Sequence, residues 1–209
     1  MRINELLALL NRLPYFTKQN LSLSLGKEGE NLNYWIKKLI RDGFIIQIKK
    51  GFYIPSFYKA KGESYFASIA NIARYPSYVS LEYALAKYGL IPESVFAITS
   101  VTTKSSRVYR SRVATFIYRS IKEDLFFGYS KEGPKIAYPY KALFDFLYLK
   151  KFTSEAQMKD YLKEAGRINW DGLSSDGKDS FAKIIKDSNS KKMQKILSIC
   201  KKEGLLNAN

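Results

Sequence analysis

Apolar residues recur at three- and four-residue spacing at the start of the chain. Ile3, Leu6, Leu7, Leu10 and Leu13 share one helical face, and Pro14 ends the run. In "FTKQNLSLSLG" (16–26) the pattern is ambiguous. Leu21, Leu23 and Leu25 alternate as in a strand, whereas Thr17 as a cap and Gly26 as a stop suit a short helix. A third helix is expected from Glu30 to Asp42, stopped by Gly43. Leu32, Ile36 and Leu39 form its apolar face, flanked by Trp35 and Ile40. Glu30, Tyr34, Lys37 and Arg41 take the opposite face, with Asn33 and Lys38 at its sides. The next stretch, "IIQIKKGFYIP" (45–55), reads as two strands joined by Lys49, Lys50 and Gly51, with glycine supplying the positive φ of a tight hairpin.

The order helix, helix, turn, helix, basic hairpin is the layout of a winged helix-turn-helix. In such a module the third helix enters the major groove and the hairpin lies along the backbone. The candidate DNA-binding residues are therefore Asn33, Tyr34, Lys37, Lys38, Arg41, Lys49 and Lys50.

Residues 55–65, with Pro, Gly and mixed charge, read as an exposed linker that leaves the two halves separable. Beyond it, "SYFASIANIARY" reads as a helix, and Ser80 is expected to cap a second, "LEYALAKYG". Strands are expected over 94–102, 113–121, 124–130 and 134–138, and the apolar helix "YKALFDFLYL" closes this part. Between the first two strands lies the basic, hydroxyl-rich connection "TKSSRVYRSR" (103–112). Its Lys104, Arg107, Arg110 and Arg112 form a second candidate surface, for nucleic acid or for antitoxicity. From Thr153 the chain reads as helical, with Met193, Ile196, Leu197 and Cys200 as an apolar stripe. "DGLSSDGKD" (171–179) reads as a polar connection between helices rather than a calcium loop, since it lacks the terminal glutamate. The expected fold class is α+β: an N-terminal winged helix-turn-helix (1–54), a linker (55–65), a mixed α/β domain (66–150) and a helical C-terminal segment (151–209).

Charge sharpens the choice of partner. The 209 residues carry a net charge of +16 and a sequence pI near 9.7. Residues 1–54 hold 9 basic and 4 acidic side chains, 55–150 hold 14 and 7, and 151–209 hold 12 and 8, so the excess runs through the whole chain. A polyanionic partner, nucleic acid first, is implied. With no histidine and one cysteine, the usual proton shuttle and zinc-ligand spacing are missing. No cofactor, metal or catalytic residue is assigned. A lone Cys200, no apolar run of membrane-spanning length and no signal-peptide pattern at the start suggest a cytoplasmic protein without membrane contact.

Several of these residues also carry a resemblance. Phe16, Thr17, Asn20, Leu21, Ser22, Leu25 and Gly26, then Leu39, Ile40 and Gly43, then Lys49, Lys50, Gly51 and Tyr53 resemble the winged-helix antitoxins of the AbiEi type. These are the regulator halves of type IV toxin–antitoxin (abortive-infection) operons. A second likeness lies in "YVSLEYALAKYGLIPE" (78–93), "ITSVT" (98–102) and "PYKALFDFLYL" (139–149). It covers about residues 3–150. The departure is Tyr140, where relatives often carry glutamate, so no role of that acid transfers.

The resemblance implies helix rather than strand for 18–25. It also implies a repressor that binds operator repeats in double-stranded DNA near its own promoter. A second domain counteracts a nucleotidyltransferase-like toxin without forming a tight complex with it. Two other readings are a stand-alone repressor without a toxin, and a magnesium-dependent nuclease using Glu82, Asp124 or Asp145.

Overall fold

The computed structural model describes Ala8, residues 12–57 and residues 64–206. Ile3, Leu6, Leu7 and Leu10 of the expected first helix lie outside the described residues, as does the centre of the expected linker, 58–63. The described chain is α+β, with eight α-helices and two sheets. No helix among the described residues is long and apolar enough to cross a membrane.

The first sheet is small and antiparallel, with β1 (Phe16–Thr17), β3 (Phe52–Pro55) and β2 (Ile45–Lys49) in that spatial order. Between β1 and β2 run α1 (Lys18–Leu25) and α2 (Gly29–Arg41). The ambiguous leucine alternation resolves as helix. Thr17 and Asn20 form a reciprocal capping box, and Gly26 ends α1 in the left-handed conformation at φ 61°. A strand here would leave that cap unused and Leu21 outside the core it fills.

Both faces of this sheet are covered. Phe16, Ile45 and Tyr53 meet Leu21 of α1 and Leu32, Ile36 and Leu39 of α2. On the other face, Ile46, Ile48, Phe52 and Ile54 join a core shared with residues 65–118. All four residues of β3 are consequently buried, as is usual for strands sandwiched between layers. The hairpin is thus not a free arm. One of its faces belongs to the core shared with residues 65–118.

The second sheet runs β4 (Ser77–Val79), β5 (Ile98–Thr102), β7 (Thr115–Ser120), β6 (Arg107–Arg110). Only β5 and β7 are parallel. One face, carrying Val79, Ile98, Phe116 and Tyr118, packs on α3 (Tyr65–Ala73) and on the hairpin. Tyr78 and Val101 on the opposite face enter the largest core. Leu81, Ala84 and Leu85 of α4 (Leu81–Lys87) and Ala142, Leu143, Phe144 and Leu147 of α5 (Pro139–Leu149) line that core. The C-terminal helices α6 (Glu155–Asp160), α7 (Ser175–Asp187) and α8 (Lys191–Lys202) close it. Met193, Ile196, Leu197 and Cys200 all point inward, as their stripe suggests.

Three expectations need correction. Residues 103–112 are not a plain connection, because Arg107–Arg110 pair with β7 as an edge strand. Segments 124–130 and 134–138 are not strands. The first begins as a tight helical turn (Glu123–Leu125), and only single bridges form, Val79 to Ile136 and Tyr129 to Ala137. Two aromatics of the first pack on Tyr78 instead, Phe126 tilted at 5.0 Å and Tyr129 stacked at 4.8 Å between ring centroids. Ser80 stands at the start of α4 but makes no side-chain cap bond, since its hydroxyl is used elsewhere.

Candidate nucleic-acid interface

The α2 helix separates its residues cleanly. Leu32, Ile36 and Leu39 are buried, while Asn33, Tyr34, Lys37 and Arg41 face solvent, with Tyr34 61% exposed. Lys38 is half-buried, its ammonium 5.1 Å from the centre of the Trp35 ring, and Lys27 covers the same ring at 5.5 Å. Arg41 touches its neighbour Asp42 at 3.1 Å through Nε. Both groups are exposed enough for water to screen that pair. The helix thus offers an amide, a phenol and two cations outward, a set able to meet base edges and phosphates.

At the hairpin tip the two lysines part. Gly51 turns the chain at φ 75° and Lys50 is exposed. Lys49 is half-buried over two aromatic rings, 5.9 Å from Phe52 and 5.5 Å from Tyr109. Tyr109 lies in β6, so the turn rests against the strand that carries the second basic group. Two sets of residues read separately along the sequence meet here.

The four residues of that second group do not act as one. Lys104 and Arg112 are exposed in the turns before and after β6. Within β6, Arg107 pairs with Tyr118 and Tyr109 with Phe116, which places Arg107 on the hairpin side of the sheet. Val108 and Arg110 pair with Ile117 and Thr115 and lie on the other face. Sequence reading missed Arg74. Its Nη1 donates to the Tyr109 hydroxyl at 3.4 Å, and its Nη2 donates to the backbone oxygen and hydroxyl of Ser105. It stands at the end of an apolar helix, where no local pattern marks it.

On that other face lies a groove of about 610 Å³, lined by Glu82, Phe96, Ile117, Arg119, Leu149 and Lys150 among others. Phe96 is 91% exposed.

The distant motifs at 78–93 and 139–149 converge in a closed polar network. The Lys141 ammonium is paired with Asp145 Oδ1 and donates to the Tyr78 hydroxyl at 2.9 Å. Tyr78 and Ser80 in turn donate to Asp145 Oδ2 at 2.9 and 2.8 Å. Lys141 and Asp145 are fully buried. Desolvation pushes the Asp145 carboxyl up and the Lys141 ammonium down, and their mutual attraction opposes both shifts.

Two backbone features serve this network. A Cβ on Gly128 (φ 77°) would come within 2.9 Å of Lys141 Cγ, so glycine lets that loop lie on the lysine stem. Leu81 enters α4 at φ 60°, a strained conformation for a branched residue. Ser80, bonded to Asp145, and Thr99, which donates to the Ser80 carbonyl at 2.6 Å, hold it there.

The three acids of the nuclease reading fall in different surroundings. Glu82 lines the groove, Asp124 is exposed in the turn after β7, and Asp145 is enclosed with Lys141. Neither a family model nor a curated protein sequence matches this chain.

Proposed function

We propose that the chain is a DNA-binding repressor of the AbiEi antitoxin type, with α1 and α2 as its helix-turn-helix and β2–β3 as its wing. The observation that carries the reading is the pairing of α2's outward set, Asn33, Tyr34, Lys37 and Arg41, with a following hairpin whose tip presents Lys50. A groove-reading helix needs polar groups on one face and a core on the other, and a backbone-contacting turn needs an exposed cation. The charge of +16 supplies the long-range attraction to a polyanion.

The antitoxin half rests on the motif resemblance. In this reading residues 66–209 counteract a nucleotidyltransferase-like toxin from a neighbouring gene without forming a tight complex. The network of Tyr78, Ser80, Lys141 and Asp145 gives four motif positions a physical task, tying β4 and the entry to α4 onto α5. Engaged in this way, Asp145 has no carboxylate edge to offer a metal, which weighs against a magnesium-dependent nuclease.

A gel shift with the DNA upstream of its own gene tests the repressor half. Retardation of that duplex ahead of a shuffled one supports it, and equal retardation of both refutes operator recognition. Co-expression with the neighbouring gene product tests the antitoxin half. Rescue of growth supports it, whereas operator binding without rescue leaves a stand-alone repressor.

A further inference from the structure

We infer that Arg107 continues the phosphate-contacting edge of the hairpin onto the second sheet, so that one DNA duplex is held by residues of both sheets. This rests on the DNA-binding reading above and extends its footprint beyond the helix-turn-helix and wing. The junction is fixed by a chain of contacts. Lys49 lies over the Tyr109 ring, Tyr109 accepts from Arg74, and Arg74 holds Ser105 in the turn that opens β6.

Because Arg107 and Tyr109 are two residues apart on one strand, they share a face about 6.6 Å apart along it. That is about two phosphate steps of ~3.4 Å along a duplex axis. Arg107 is exposed on the side where the Lys49–Lys50 turn rests. Arg110, three residues on, faces the opposite side with Thr115 and Ile117, so a duplex on the hairpin side does not meet it. One strand therefore carries both the contact and its internal control.

The test uses the full chain and a labelled random-sequence duplex of about 25 base pairs, with affinity measured by anisotropy across a salt series. Lys50→Gln and Arg107→Gln are each expected to reduce the slope of log affinity against log salt by about 0.9, the increment of one phosphate contact. Between 50 and 200 mM salt that is about a 3.5-fold smaller loss of affinity for each variant. Arg110→Gln is expected to keep the wild-type slope.

A wild-type slope for Arg107→Gln, or an equal fall for Arg107→Gln and Arg110→Gln, overturns the inference. If Lys50→Gln lowers the slope and Arg107→Gln does not, the inference fails while the DNA reading stands. If the wild-type chain shows no salt-dependent duplex binding, both fail. A polyuridine strand whose binding falls in Arg107→Gln while the duplex is unaffected assigns this edge to single-stranded RNA, and the inference is wrong.

Discussion

Replacing Lys141 by methionine keeps an unbranched stem in the core and deletes only the ammonium. Asp145 is then left fully buried with the hydroxyls of Tyr78 and Ser80 as its only partners. Removing one member of a buried ion pair costs about 3–5 kcal/mol. For a chain of this length that corresponds to a fall in Tm of roughly 6–20 °C.

The cost also depends on pH, with a sign the structure sets. Burial raises Asp145, and the Lys141 charge that opposed the rise is gone in the variant. A carboxyl whose folded pKa lies above its unfolded value contributes stability that is present at low pH and lost as pH rises through the folded pKa. The deficit of Lys141→Met against wild type should therefore be largest near pH 8 and shrink toward pH 5. The double variant Lys141→Met/Asp145→Asn, uncharged and nearly isosteric, should be more stable at pH 8 than Lys141→Met alone.

Urea unfolding at the two pH values, followed through the buried Trp170, measures all three quantities. A deficit under 1 kcal/mol, or one equal at both pH values, would refute the account of a buried charged pair in α5 that anchors Tyr78 of β4 and Ser80.

Two further outcomes follow from the packing. Cys200 is buried and its thiol is pushed up to about 12 by desolvation. Iodoacetamide should therefore leave it intact in the native chain at pH 9 and alkylate it once urea unfolds the protein. The raised value also means that native stability falls as pH climbs from about 9 toward 12, at up to about 1.4 kcal/mol per unit; rapid native alkylation would contradict the burial. A fragment of residues 64–209, expected from the linker composition to be separable, loses Ile46, Ile48, Phe52 and Ile54 from the shared core. At about 1.5–3 kcal/mol per buried side chain the loss approaches the whole stability of a typical domain, so the fragment should be unfolded or aggregated by circular dichroism and gel filtration. A cooperative, monomeric fragment would refute that coupling.

Local chemistry made the first half of the chain readable. The apolar spacing of Leu32, Ile36 and Leu39 marks α2, and Lys49, Lys50 and Gly51 mark the hairpin turn. The leucines of α1 misled on their own because a short helix with one buried leucine leaves no clear period. The edge strand β6 was invisible for a related reason. Three of its four residues are exposed, so no apolar alternation builds up. Residues 124–130 erred the other way, since aromatic runs suit strands and ring-on-ring packing equally well.

Contacts across long separations left weaker traces. Tyr78 meets Lys141 and Asp145 from more than sixty residues away, and the only local hint was a lysine four residues before an aspartate inside an apolar helix. The continuous apolar run of β3 hinted that its sheet is covered on both sides, but not by what.

Whether α2 reads DNA sequence is decided by a discrimination ratio. That ratio is the affinity of the full chain for its own upstream duplex divided by its affinity for a shuffled duplex, at one fixed salt concentration. Asn33 and Tyr34 are both exposed on α2, and a good base contact contributes about 1–3 kcal/mol of discrimination. Asn33→Ala and Tyr34→Ala should each lower the ratio by about 5-fold or more while affinity for the shuffled duplex stays within about twofold. Wild-type ratios in both variants would contradict it.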